Sequence, residues 1–110
     1  MSFEVTAVQS ASARLARFFP TASAVRIPVR LTRLGGAQPL VEDTVIEFGT
    51  AREVLFVCAS HVEFADRVRL QNCDGSFDVQ AQVVAVQYDE GQTAVAARFD
   101  GELANWIIKL

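Results

Sequence analysis

Few side chains in this chain of 110 residues are of the types that perform chemistry. Its single histidine, His61, has Ser60 and Glu63 close by in the sequence. Residues this close together on a strand or loop do not face one another as a nucleophile and its base must. No HExxH, GxSxG or glycine-rich phosphate-binding motif occurs either. We therefore predict that His61 lies exposed on a loop and that the chain is not an enzyme.

The two cysteines, Cys58 and Cys73, are too few for a disulfide framework, and their spacing fits no zinc motif. Cys58 lies in the most apolar stretch of the chain, residues 54–59, which predicts a small buried side chain. Cys73 falls in a predicted turn beside Asp74 and Gly75. We predict two free thiols, and no metal or other cofactor.

Arginine supplies all but one of the ten basic side chains, and its distribution is uneven. The first 33 residues contain five arginines and one carboxylate, whereas the remainder contains twelve carboxylates. Guanidinium groups suit planar, bidentate contacts with phosphate, carboxylate or guanine edges. The arginine-rich part could therefore clamp an anion, or it could pack over the acidic remainder of its own domain. The five arginines are Arg14, Arg17, Arg26, Arg30 and Arg33.

Composition limits the class of protein. A chain of this length with 51% hydrophobic residues predicts one compact domain with a single core. The net charge of −3 excludes a generally basic nucleic-acid binder. The longest apolar run is much shorter than the roughly 20 residues of a membrane helix. The N-terminus lacks the pattern of a secretory signal, so we predict a cytoplasmic protein without membrane insertion.

The local patterns predict mostly strands. Residues 8–19 favour a short helix that Pro20 must end. Residues 25–31 alternate apolar and polar side chains, and Pro28 places that strand at an edge or a bulge. Apolar and alternating runs then predict strands at about 40–48, 54–58 and 66–71, and two longer strands on either side of a turn at residues 89–91. Residues 101–110 predict a short helix anchored by Trp106.

The longest predicted strand changes phase along its length. Val79, Ala81 and Val83 share one face, after which Val84 and Val86 continue the apolar pattern on the other face. A shift of one residue is typical of a β-bulge, which bends a strand and helps to close a barrel. We predict an all-β fold, a small six-stranded antiparallel barrel. Residues 1–20 would form an N-terminal arm or helix, and residues 21–110 the barrel with its short C-terminal helix.

From about residue 17 to residue 100 the order of these segments resembles the PilZ family. PilZ domains are small bacterial β-barrels that act as receptors or adaptors for cyclic di-GMP. The resemblance is carried by residues 25–31 (VRIPVRL), 54–57 (VLFV), 66–70 (DRVRL) and the closing stretch 79–101. It implies bacterial signalling, with motility and type IV pilus systems as the setting for relatives that lack the nucleotide motifs.

Nucleotide binding in that family depends on two motifs, and both are altered here. The first, Arg-x-x-x-Arg before the first strand, aligns with residues 17–21 (RFFPT), so Arg17 has no second arginine. The second, Asp/Asn-x-Ser-x-x-Gly, aligns with residues 48–53 (FGTARE). Phe48 then replaces the guanine-reading acid or amide, Thr50 replaces serine, and Glu53 stands at the glycine position. Each bidentate contact with a guanine edge that is lost weakens the free energy of nucleotide binding by about 1–3 kcal/mol.

The resemblance therefore implies a non-catalytic adaptor that acts through protein–protein contacts and does not bind cyclic di-GMP in the usual way. We expect its contact surface to include the exposed arginines of the arm and of the fourth strand, Arg14, Arg17, Arg67 and Arg69. The alternative is a cyclic di-GMP receptor with a non-standard site built from Arg17, Arg26, Arg30 and Thr50. Arg26 and Arg30 share a strand face about 13 Å apart, too far to pinch one phosphate.

Overall fold

The computed structural model describes residues 11–35 and 40–101. Within them the chain forms a short helix, α1 (Ala11–Leu15), and a 3-10 turn (Ala16–Phe18), followed by six strands. The strands are β1 (Ser23–Leu34), β2 (Leu40–Gly49), β3 (Glu53–Cys58), β4 (Arg67–Gln71), β5 (Asp78–Asp89) and β6 (Gln92–Phe99).

All neighbouring strands pair antiparallel, and they close into a barrel in the order β1-β2-β3-β6-β5-β4. This confirms the predicted all-β, six-stranded barrel. The register of β5 against β6 shifts between Val83 and Ala85, so the predicted bulge is confirmed at the change of phase. A second shift lies in β1, between Ala24 and Ile27.

Two apolar clusters hold the fold together. The first fills the barrel with the inward-facing side chains of all six strands, and its largest fully buried members include Phe56, Leu31 and Ile46. The second lies outside the barrel, where Ala11 and Leu15 of α1 cover Leu55 of β3 and small residues of β6. A five-residue helix is too short to be stable alone, so packing on this outer face is what maintains α1.

The predicted N-terminal helix ends earlier than the pattern indicated. Its regular α-helical part covers residues 11–15, and the chain tightens into the 3-10 turn before Pro20. Residues 8–10 of that prediction lie outside the described residues, as does the predicted C-terminal helix beyond Gly101. Both cysteines are free and Cys58 is buried, as predicted, and Cys73 is exposed.

Candidate functional site

The turn between β2 and β3 contains Thr50 and Glu53, two positions that the resemblance to PilZ domains singled out. Its backbone is closed by a hydrogen bond from Thr50 N to Glu53 O, 2.8 Å long. The Thr50 hydroxyl oxygen accepts hydrogen bonds from the backbone N–H groups of Arg52 and Glu53, at 3.0 and 2.9 Å. Threonine favours such turns because its hydroxyl can take the place of a backbone acceptor. The side chain of Thr50 is therefore committed to its own turn.

Glu53 completes a closed polar network at this turn. Its Oε1 accepts a 2.5 Å hydrogen bond from the Thr50 hydroxyl. Its Oε2 accepts two hydrogen bonds from Arg98 of β6, at 3.1 Å from Nε and 2.9 Å from Nη2. The Glu53 side chain is only 13% exposed, so this carboxylate is held largely out of water by two partners. Glu53 and Arg98 thus form an ion pair between β3 and β6.

Phe48 lies at the end of β2, opposite Leu55 of β3. Its half-buried ring packs in the outer apolar cluster beneath the N-terminal segment, together with Phe19 and Leu55. A ring in this position provides no acceptor or donor for a guanine edge. Phe48 instead packs against the residues that connect α1 to β1.

Three of the four arginines expected to contact a partner are paired with carboxylates of this chain. Arg67 donates to both oxygens of Asp100, at 2.7 and 2.6 Å, and Arg69 donates to both oxygens of Asp78, at 2.8 and 2.7 Å. These hydrogen bonds raise the pKa of each guanidinium and lower the pKa of each carboxyl. Arg14 of α1 pairs with Asp89 at the end of β5.

The four expected contact arginines do not form one surface. Arg67 and Arg69 lie on β4, whereas Arg14 and Arg17 belong to the segment that covers the outside of β3 and β6. Arg17 is exposed and makes no ion pair with any described residue. The arrangement therefore offers two separate basic positions rather than one continuous arginine patch.

Two arginines of β1, Arg26 and Arg30, are more accessible than the arginines of β4. Arg26 is exposed, lies at the register shift of β1, and forms no ion pair within the described part of the chain. Arg30 approaches Asp43 of β2 at 3.6 Å, with the two side chains 63% and 84% exposed. Exposed pairs of this kind contribute little energy. Both guanidiniums are therefore available to an external anion.

His61 lies exposed on the loop between β3 and β4, as predicted, but it is not isolated. Its ring stacks on Tyr88, with centroids 4.9 Å apart and planes 4° from parallel. The expectation that Glu63 does not face it is wrong, because Oε2 of Glu63 lies 3.3 Å from Nε2 of His61. His61 and Glu63 are both exposed while Val62 between them is buried, so the two side chains lie on the same side of the chain, as residues two apart do in an extended segment. The hydroxyl of Ser60 donates to Glu42 instead, at 2.6 Å.

Sequence reasoning missed a cavity of about 580 Å³ on the barrel wall. It lies where the end of β4 turns away from β1, and Cys73 is at its rim. The one sequence signal for it was Pro28, which placed part of β1 at an edge or a bulge. The residues that line it are Pro28, Val29, Arg30, Asp43, Thr44, Gln71, Asn72 and Cys73.

In residues 11–35 and 40–101, no group of three or more histidine, cysteine or acidic side chains is arranged to hold a metal ion. None of the helices in that part of the chain has the length and apolar character needed to cross a membrane.

Comparison with known proteins found no family model that matches the chain and no curated protein with significant similarity to it.

Proposed function

We propose that the chain is a PilZ-like, non-catalytic adaptor of bacterial signalling that acts through contacts with another protein. The six-stranded barrel supports this proposal, because it has the architecture that the resemblance implied. Motility and type IV pilus systems are the proposed setting, and the cytoplasm the proposed compartment. The arginines in the first third of the chain would provide the contacts.

One observation carries the proposal: the closed network of Thr50, Glu53 and Arg98. The Thr50 hydroxyl already accepts two backbone N–H groups and donates to Glu53, which in turn pairs with Arg98. A nucleotide at this turn would have to break those bonds and would bring its phosphates toward a largely buried carboxylate. Unpaired buried groups cost about 1–3 kcal/mol each, and more when they are charged. Standard cyclic di-GMP binding is therefore disfavoured.

Isothermal titration of the full chain with cyclic di-GMP tests this part of the proposal. We expect no saturable heat, which corresponds to a Kd weaker than about 100 μM. A PilZ receptor with intact motifs, titrated under the same conditions, is the positive control. Saturable binding in the low micromolar range would overturn the proposal that the turn excludes the nucleotide.

The adaptor role is tested by comparing the proteins captured by the wild-type chain with those captured by Arg17→Glu. We expect the variant to lose at least one specific partner, because Arg17 is exposed and makes no ion pair within the described part of the chain. Arg52→Glu is the matched control, since Arg52 is also exposed but lies on the β2–β3 turn. Identical partners for all three proteins would remove the N-terminal arm from the proposal.

A second candidate function is a cyclic di-GMP receptor with a non-standard site. It is favoured by the exposure of Arg17 and Arg26 and by the weak pairing of Arg30. If the nucleotide binds, this candidate requires Arg17→Glu and Arg26→Glu to abolish the heat of titration. Binding that survives both substitutions would exclude this candidate.

A further inference from the structure

The barrel is closed by a short seam between β1 and β4. Strand β1 has twelve residues and β4 has five. Their pairing begins at Arg30 opposite Gln71 and ends at Leu34 opposite Arg67. Among the described residues, no strand pairs with residues 23–29 on the side of β1 opposite to β2. Within residues 11–35 and 40–101, the first half of β1 therefore has one open backbone edge.

The cavity of about 580 Å³ lies at the start of that open edge. Its walls are Pro28, Val29 and Arg30 of β1, Asp43 and Thr44 of the neighbouring β2, and the chain from Gln71 to Cys73 on the far side. Asn72 keeps this second wall turned away from β1: its Nδ2 donates to Ser76 Oγ at 2.8 Å, and its Oδ1 accepts from Phe77 N at 3.0 Å. The space beyond the last paired residues is thus preformed.

We propose that this edge is a docking site for an extended segment of a partner protein, which adds to β1 as an extra strand in line with β4. Strand addition is a recurring mode of peptide recognition, in which backbone hydrogen bonds supply affinity and alternate side chains supply selectivity. Open strand edges in general act as templates for pairing with another chain. The inference rests on the proposed adaptor function and names its contact surface.

Pro28 limits what can pair here. Proline has no N–H to donate and is found in strands with its nitrogen on the unpaired side, so we expect the Pro28 nitrogen on the open side of β1. An added strand loses one hydrogen bond at this position but keeps the Pro28 carbonyl as an acceptor. Proline on an edge also discourages indiscriminate pairing between copies of a protein. The site therefore depends on side-chain contacts as well as on the backbone.

The side chains of β1 define which segment fits. Arg26, Pro28 and Arg30 are exposed on the outer face, while Ile27 and Val29 face the core. A carboxylate on the added strand opposite Pro28 is a diagonal neighbour of both arginines, within reach of long side chains. The strand should therefore alternate acidic residues facing outward with apolar residues facing inward.

The probe is a fluorescein-labelled peptide of sequence Val-Glu-Val-Glu-Val-Glu-Val, which reads the same in both directions and so suits either strand orientation. We expect saturable binding to the full chain by fluorescence anisotropy. Its matched control is the same peptide with lysine in place of glutamate, which should not bind. No binding of the glutamate peptide, or equal binding of both peptides, would overturn the proposal.

Variants locate the site. Arg26→Glu and Arg30→Glu should each weaken binding of the glutamate peptide at least tenfold, and Arg26→Gln should weaken it less. Arg52→Glu adds the same charge change on the β2–β3 turn and should leave binding unchanged. An equal loss in Arg52→Glu would mean that net charge, not the edge of β1, controls binding, and would overturn the site.

Amide hydrogen exchange distinguishes strand addition from simple charge attraction. Saturation with the peptide should slow exchange at least tenfold at one or more amides within residues 23–29. Binding without that protection would overturn strand addition. These results can be told apart from the nucleotide titration. If neither the peptide nor cyclic di-GMP binds, only the proposed docking site on β1 is overturned. If cyclic di-GMP binds, the adaptor proposal is overturned and the peptide result still stands.

Discussion

Glu42 is a partly buried carboxylate that fastens the loop after β3 to β2. Its oxygens accept hydrogen bonds from Ala59 N at 2.6 Å, from Ser60 N at 3.0 Å and from Ser60 Oγ at 2.6 Å. Burial raises the pKa of this carboxyl, but the three hydrogen bonds outweigh burial, so its pKa lies below the ordinary 4.5. The ionised form is thus the one that the folded chain favours.

This shift predicts a specific dependence of stability on pH. A carboxyl whose pKa is lower in the folded state contributes stability above its unfolded pKa, and that contribution is lost as pH falls through the folded pKa. In urea titrations, Glu42→Gln should be less stable than the wild type at pH 7 by about 1 kcal/mol. The difference should shrink as the pH falls from 4.5 toward 3. A difference that stays constant over this range would contradict the assignment.

The two cysteines differ in what surrounds them, and this predicts their reactivity. Burial, and next the negative charge of Glu42, raises the pKa of the Cys58 thiol to about 11, and the residue is only 2% exposed. Cys73 lies exposed in the turn between β4 and β5. Because the thiolate is the reactive species, one thiol should react with Ellman's reagent at pH 8 and the second only after unfolding. Cys73→Ser should abolish the fast phase, and two fast thiols in the native wild type would contradict this.

At the scale of elements, the turns decide where strands meet. The β5–β6 hairpin turns at Glu90 and Gly91, which have φ values of 50° and 85°. A hairpin with two such central residues matches the natural twist of the paired strands. Glycine takes a positive φ at no steric cost, whereas other residues pay about 1–2 kcal/mol.

Gly91→Ala should therefore lower the free energy of unfolding by about 1 kcal/mol through backbone strain alone. A Cβ added at Gly91 would meet nothing within 4 Å, so no steric clash adds to this effect. Gly101→Ala is the matched control, because Gly101 is equally open and no positive φ is found there. Equal stability of the two variants in urea unfolding would show that the turn tolerates alanine.

The elements also show what sequence patterns can and cannot predict. The alternation from Arg67 to Gln71 predicted a strand, and the phase change after Val83 predicted a bulge. Both predictions are confirmed, because each depends only on residues that are neighbours in the sequence. The ion pair between Arg98 and Glu53 was not predicted, because the two residues are 45 positions apart and only the pairing of β3 with β6 brings them together. Local spacing carries no information about such pairs.

The same distinction applies to the candidate site. The sequence identified Thr50 and Glu53 as positions that depart from a family motif, yet it could not show that the two side chains bond to each other. The cavity beside β1 likewise depends on how far β4 runs before it turns, and strand ends are poorly marked in sequence. Only Pro28 indicated in advance that part of β1 would be an edge.

At the scale of the whole molecule, the barrel is unevenly secured. Strands β3 and β6 pair along six positions and are buried inside by the core and outside by α1. Strand β4 is five residues long, and its outward residues Arg67 and Arg69 hold exposed ion pairs. Since exposed pairs contribute little and regions with fewer buried contacts open at lower free energy, we expect β4 to open at a lower free energy than β3 and β6.

Native-state hydrogen exchange should reveal this order. We expect the paired amides of β3 and β6 to exchange only through global unfolding, and those of β4 to exchange through a local opening that requires less free energy. Low urea should therefore accelerate exchange in β3 and β6 more steeply than in β4, because global unfolding exposes more surface. If β4 were as protected as β6, with the same dependence on urea, the barrel would open as a single unit. A docking site on the free edge of β1 would then have no flexible neighbour, and binding of an added strand would have to leave the seam intact.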